Sequence, residues 1–402
     1  MTDAANGPAA APALERTVLA PFHRAHGAHL VPFAGWEMPL YYSSILVEHR
    51  AVRASVGAFD VSHMGILAVR GPSAAALLSR RTTADVGRLG PGQAKYAFAL
   101  ESTGRIIDDL LVSRLHGDDA GATPSYLVVP NAARTAEITE ILAQHRRPDT
   151  TIERCNGRVA IVAVQGPDSR AVLERVFGWS LGSLKFYHAR FFPLAPTSPT
   201  SRDGAIGRPF PDALADDVLV SRTGYTGELG YELFVAGNAA VAVAERLATA
   251  DVVPAGLGAR DTLRLEKGYL LSGQEFHRDR TPIEAGQERF VDWDHAFYGR
   301  DVLVRQRDDP ATDRLVGVRL DEAGAVPRHG TPIRVGDGFA GALTSGGISP
   351  TLGVGIGLAY VPRALAVPGT PLTAEIRGRP VPGVVAPLPF VPARPAPPRP
   401  SA

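Results

Sequence analysis

In Gly104-Arg105-Ile106-Ile107-Asp108-Asp109-Leu110-Leu111-Val112, two adjacent carboxylates interrupt a run that otherwise reads as a buried strand. Apolar, β-branched-rich runs of this length after a Thr-Gly turn form strands. Successive strand side chains point to opposite faces, so Asp108 and Asp109 are expected to serve different roles. One of them then faces an interior or a cavity, where an unpaired carboxylate is costly unless a partner bonds it or a function retains it. The plain alternative leaves one Asp capping a turn at the strand end and the other on the surface.

Outward from this strand, helical patterns fit residues 18–26, 44–55, 72–80, 133–144, 167–176 and 239–250. Strand runs fit 66–70, 96–100, 106–112, 125–129, 160–165, 218–222, 231–235, 315–320 and 355–360, and beyond residue 310 nearly everything is strand and turn. The expected fold is α+β with an all-β C-terminal domain, not a doubly wound sheet. Residues 1–13, the Pro-rich stretch 193–217 and the Pro-rich tail after Phe390 are expected to lack regular structure.

The 402-residue length implies two or three domains. A net charge of +1 without a basic stripe argues against nucleic acid as a partner. No run reaches the 18 or so apolar residues of a membrane span, and the acidic N-terminal region is no signal peptide. Cys155 stands alone, which excludes an intramolecular disulfide and points to a reducing cytoplasm. It reads as buried filler rather than a nucleophile.

Common catalytic signatures are absent. There is no phosphate loop of the GxxxxGK[ST] form and no paired-His zinc helix. Gly353-x-Gly355-x-Gly357 lacks the helix a dinucleotide site needs and reads as strand glycines. His23, His26 and His29 would splay over a helix and its turn, so they read as exposed residues rather than metal ligands. No metal and no covalent nucleophile are expected.

A scattered polar set remains. Phe59-Asp-Val-Ser-His-Met-Gly65 precedes a strand, and Thr223-Gly-Tyr-Thr-Gly-Glu-Leu-Gly-Tyr-Glu232 places Glu228 in a Gly-flanked turn between strands. Gly256-Leu-Gly-Ala-Arg260 sets Arg260 at the start of a helix. Glycines around Glu228 permit close backbone approach to a ligand. Its carboxylate can accept two parallel bonds from an amidine-like edge such as that of a pterin. Arg260 can hold a carboxylate in the same forked manner. The bland alternative is a hairpin turn with a surface Glu and an Arg at a helix N-terminus.

Taken together, these motifs resemble the glycine-cleavage-system T-protein family, the tetrahydrofolate-dependent aminomethyltransferases. Phe33-Ala-Gly-Trp-Glu-Met-Pro39, Phe59–Gly65, Gly104–Val112, Arg222–Gly227 and Gly258-Ala-Arg-Asp-Thr-Leu-Arg-Leu-Glu266 carry the likeness. Gly273-Gln-Glu275, Thr281-Pro-Ile-Glu-Ala-Gly286 and Thr344-Ser-Gly-Gly-Ile-Ser-Pro-Thr-Leu352 complete it, from about Arg16 to Pro392, interrupted mainly by 193–217. The resemblance implies a three-domain cloverleaf around a central folate cavity, with a barrel or jelly-roll-like C-terminal domain. The expected divisions are 14–62 with 150–285 as a discontinuous folate-binding domain, 63–149 carrying the Asp pair, and 286–392.

The resemblance also assigns roles. Asp108 matches the carboxylate that meets N10 of the folate, Glu228 the residue gripping the pterin, and Arg260 a folate-binding arginine. Met64, Asn131 and Tyr225 match pocket-lining positions. The implied reaction moves a methylene carbon from the aminomethylated lipoyl arm of the carrier H-protein to tetrahydrofolate, releasing ammonia. An alternative keeps the folate site but takes a small-molecule one-carbon donor, as in demethylases. A third, the non-enzymatic folate-binding iron–sulfur assembly factors, carries a Lys-Gly-Cys-Tyr motif that here reads Lys267-Gly268-Tyr269-Leu270. The chain also departs from the family in its polar Gln287-Glu288-Arg289-Phe290 run and in lacking a Tyr after Phe390-Val391.

Overall fold

The computed structural model describes residues 13–115, 123–195, 210–336 and 338–392. Of the segments expected to lack structure, residues 1–12, 196–209 and 393–402 lie outside the described part. The chain forms a three-stranded sheet, a six-stranded sheet, a five-stranded sheet and a closed six-stranded barrel, with helices packed on the sheets. This is the expected mixed α+β architecture. All six helices read from sequence are present, their ends moved by one or two residues.

The six-stranded sheet runs in the order Ala189–Pro193, Asp217–Ser221, Gly230–Ala236, Val159–Gln165, Gly57–Asp60, Val253–Ala255. Every residue of Val159–Gln165 is buried, as a continuous apolar run requires when both faces of a strand are covered. Val162 and Val164 pack with Leu173 and Val243 of helices Ser169–Phe177 and Ala240–Ala248. Ile161 and Ala163 pack on the other side with Leu263 of helix Leu257–Glu266 and Leu127 of the next sheet. The core therefore continues from one sheet into the other.

The five-stranded sheet is antiparallel, in the order Ala94–Leu100, Ile106–Arg114, Ser125–Pro130, Leu67–Arg70, Thr151–Arg154. Its pairing breaks beside the Asp pair: Ala99 faces Asp108 while Leu100 faces Ile106, leaving Ile107 as an inserted residue. Such a bulge re-aims the side chains next to it. Ile106, Ile107 and Asp108 are buried in succession, so the simple alternation assumed from sequence fails here.

The barrel closes through strands Arg314–Ala323, Val354–Val361, Phe339–Ile348, Pro332–Val335, Pro371–Ile376 and Arg379–Ala386. Gly355 and Gly357 lie in one of these strands, as read from sequence, whereas Gly353 falls in the turn before it at φ +74°. A side chain at Gly355 would stand 2.5 Å from the Ala325 carbonyl oxygen. The sequence reading missed several short elements: the three-stranded sheet, the edge strands Thr151–Arg154 and Val253–Ala255, and helix Arg300–Gln306. Short edge elements carry too few residues for a periodic signal.

The expectation for His23 is corrected. It is 1% exposed, with Nε2 2.8 Å from Asp60 Oδ2 and Nδ1 2.8 Å from the Tyr42 hydroxyl. Helix Ala20–Ala25 lies against the six-stranded sheet, and Asp60 needs a polar partner there. His26 and His29 are exposed as expected. Cys155 is buried and its thiol is pushed up to about 11 by burial, matching an unreactive role.

Candidate active site

The two carboxylates of strand Ile106–Arg114 share a partner. Asn131, just past the end of Ser125–Pro130, reaches both. Its backbone N–H donates to Asp108 Oδ2 at 2.9 Å, and Nδ2 donates to Asp108 Oδ1 at 2.8 Å and Asp109 Oδ1 at 2.5 Å. Alternation across the pair holds, with Asp108 buried and Asp109 half-buried, while Asn131 at the end of the neighbouring strand reaches both. Asp108 is fully enclosed, whereas Asp109 is half-buried and accepts the Tyr96 hydroxyl at 2.6 Å. Ser272 Oγ lies 3.5 Å from Asp108 Oδ1.

Burial, and then the like charge of Asp109, push the Asp108 carboxyl well above the usual carboxylate range. Burial also raises Asp109, against the hydrogen bonds from Tyr96 and Asn131. Two acids this close hold a proton between them more readily than two isolated carboxylates. The pair is therefore suited to taking up or giving a proton.

Asp109 also faces Tyr225 electrostatically, and Tyr225 in turn faces Arg260, Arg264 and Glu275. Tyr225 donates its hydroxyl to the Leu270 carbonyl, and the Arg260 guanidinium stacks 4.6 Å over its ring. Among the described residues, the buried Nη1 of Arg260 has no hydrogen-bond partner. A buried donor without a partner is costly and suits an incoming acceptor oxygen. His63 beside it has an equally unpartnered Nδ1.

Glu228 sits in the turn between Asp217–Ser221 and Gly230–Ala236, as expected. Gln165 anchors that turn: its Nε2 donates to the Thr223 carbonyl at 3.2 Å and its Oε1 accepts from Thr226 at 3.0 Å. Gly227 adopts φ +72°, and a Cβ there would meet the Lys267 side chain at 2.2 Å. Gly227→Ala should therefore cost at least about 1–2 kcal/mol from the left-handed backbone alone. Thermal unfolding would register this. Met64 packs against the apolar cluster of Phe59 and Leu127, while Gly65 N donates to the Pro130 carbonyl at 2.9 Å next to Asn131.

Sequence reasoning missed Tyr96, Gln165, Ser272 and His63. Tyr96 was reachable, because it lies on the strand paired with Ile106–Arg114, diagonally from Asp109. Arg289 of the polar 287–290 run faces Tyr187 and Tyr269 in the same region.

Acid should loosen this arrangement. Burial, with Arg260 assisting and Asp60 opposing, lowers His63 from 6.5 to about 4. Hydrogen bonds from His49 and Ser349 hold Glu266 down to about 2 against the effect of burial. For His63 the unfolded chain binds the proton first, so its contribution is intact above about 6.5 and is lost as pH falls toward 4. For Glu266 the loss follows lower, as pH falls from 4.5 toward about 2. Unfolding free energy should drop by about 2 kcal/mol between roughly pH 7 and pH 5 through His63. A His63→Asn protein with the same slope over that range would remove His63 as the cause.

Comparisons with known proteins identify relatives of the whole chain. The GCVT N-terminal domain family matches residues 19–198 and 212–295, and the glycine cleavage T-protein C-terminal barrel domain family matches 314–392. The chain is 41% identical over 94% of its length to all of an aminomethyltransferase from Halothermothrix orenii. It is 43% identical to one from Rubrobacter xylanophilus, covering 94% of each chain. A crystal structure of glycine cleavage system aminomethyltransferase T from Bartonella henselae superposes with a TM-score of 0.82 at 32% identity, covering 95% of this chain and 99% of that one. Fold, site and matches together define an enzyme of the aminomethyltransferase class. The chain belongs to the glycine cleavage T-protein family. Among the described residues, no helix is long and apolar enough to cross a membrane.

Proposed function

We propose that this enzyme transfers the methylene carbon of an aminomethyl group, carried on the lipoyl arm of an H-protein, to tetrahydrofolate, breaking its C–N and C–S bonds with release of ammonia and of the reduced lipoyl thiol on the carrier. The carrying observation is a run of contacts around Tyr225: Asp109 interacts with it, the Arg260 guanidinium with its unpartnered donor stacks on its ring, and Tyr269, 5.7 Å from that ring, interacts with the turn-borne Glu228. These groups suit a folate: an acid pair for its amine region, a carboxylate with a free oxygen for the pterin edge, and a guanidinium for an acceptor oxygen. When bound, tetrahydrofolate supplies the attacking amine, which accounts for a site without a protein nucleophile.

The protein's share is orientation and proton handling. Asp108, steered by Asn131 and by the charge of Asp109, takes up the amine proton as the new bond forms. Glu228 and Arg260 fix the ring system, with Met64, Asn131 and Tyr225 lining the pocket. Near-attack positioning of this kind can contribute about 7–11 kcal/mol. The divisions 14–62 with 150–285, 63–149 and 286–392 are proposed as three domains around this site, in a cytoplasmic protein.

The test is ammonia release from chemically aminomethylated H-protein, with and without tetrahydrofolate. Folate-dependent release with formation of the methylene derivative supports the reading. Release only from small-molecule donors would replace it with the demethylase-like alternative.

A further inference from the structure

Arg53 lies near the end of helix Ile45–Ala54 and its side chain is 9% exposed. A guanidinium has five N–H donors, and here all five are used. Nε and Nη2 both bond Glu266 Oε2, at 3.1 and 2.8 Å, and Nη2 also donates to the Leu263 carbonyl at 3.2 Å. Nη1 donates to the Thr226 carbonyl at 2.8 Å and to Glu228 Oε1 at 2.9 Å. One side chain thus grips the Glu228 turn by backbone and carboxylate together. Among the described residues, the other Glu228 oxygen has no such partner.

Arg53 is not the only group that holds Glu266. Glu266 separately accepts from Ser349 Oγ at 2.6 Å, Thr351 N at 3.0 Å and Thr351 Oγ1 at 2.9 Å, all in the barrel segment 349–351. Arg53 therefore links that segment, through Glu266, to the turn bearing Glu228. From this we infer that Arg53 is a positioning residue for folate: it aims the free oxygen of Glu228 at the pterin edge and couples that aim to the barrel. The inference rests on the reading of Glu228 as the pterin-binding acid.

The experiment compares Arg53→Gln, Arg53→Lys, Glu228→Gln and the Arg53→Gln/Glu228→Gln double variant of the full chain. Affinity is measured by calorimetric titration with a stable reduced folate, and KM for tetrahydrofolate and kcat are measured with saturating aminomethylated carrier. Losing a charge-assisted hold on Glu228 should raise Kd and KM by about tenfold in Arg53→Gln, with kcat changed by less than about twofold. Arg53→Lys keeps the charge but not the fork, so it should recover only part of the affinity. The double variant should bind folate no more weakly than Glu228→Gln alone, because both changes remove one arrangement.

Should Glu228→Gln bind folate normally, the pterin assignment itself fails. Should Glu228→Gln weaken binding while Arg53→Gln does not, the assignment stands and the positioning role falls. Additive losses in the double variant, or a kcat loss matching the KM change, would likewise overturn it. If Arg53→Gln does not fold, Arg53→Lys carries the test alone, and wild-type affinity in that variant overturns the forked hold.

Discussion

Asp108→Asn should lower turnover by about 10²–10⁴-fold, the usual contribution of a positioned acid or base, while folate still binds. The substitution keeps one oxygen to accept from Asn131, whose N–H and Nδ2 both bond Asp108, so the local architecture has a means to survive. It removes the proton site that burial and Asp109 push well above the ordinary carboxylate range. Single-turnover ammonia release under saturating folate reads the chemical step, and a folate titration reads binding. Asp109→Asn is the informative companion. It removes the like charge that helps to raise Asp108, so the acid limb of the kcat profile should move to lower pH. Near-normal turnover in Asp108→Asn with a large loss in Asp109→Asn would transfer the catalytic role to the half-buried neighbour.

Glu228→Ala should act on binding instead. Hydrogen bonds to a charged acceptor contribute about 1.5–3 kcal/mol each, so folate affinity should fall by about tenfold to a hundredfold or more. The same change strips Arg53 Nη1 of one acceptor while Glu266 still holds Nε and Nη2. The helix and the turn therefore keep most of their bonds. Equal folate affinity in wild type and variant would refute the assignment, and thermal unfolding separates lost binding from lost folding.

Much of the fold was legible from residue patterns. The runs 160–165 and 106–112 are apolar enough to demand burial, and both became strands inside their sheets. The six helices carry enough residues for a 3.6-residue stripe to show. The short edge strands and the N-terminal three-stranded sheet do not, and only pairing with distant strands defines them. At the acid pair the two-residue alternation holds, and the bulged residue Ile107 breaks the period only on the side before it.

The site divides along the same line. Asp108, Asn131, Tyr225, Glu228 and Arg260 stand in locally unusual sequence, and the motif order was enough to name the family. His23 was misread because nothing near it in sequence reveals that Asp60, 37 positions away, would be buried against it. Arg53 was invisible for the same reason: its partners are 173 to 213 positions distant. Local periodicity and turn chemistry act between near neighbours, so the sequence by itself determined the elements, the α+β class and the family. The shared hold of Asn131 on Asp108 and Asp109, the fork of Arg53 and the unpartnered Arg260 donor were decided only by tertiary structure, because burial and hydrogen-bond satisfaction depend on which distant segments meet.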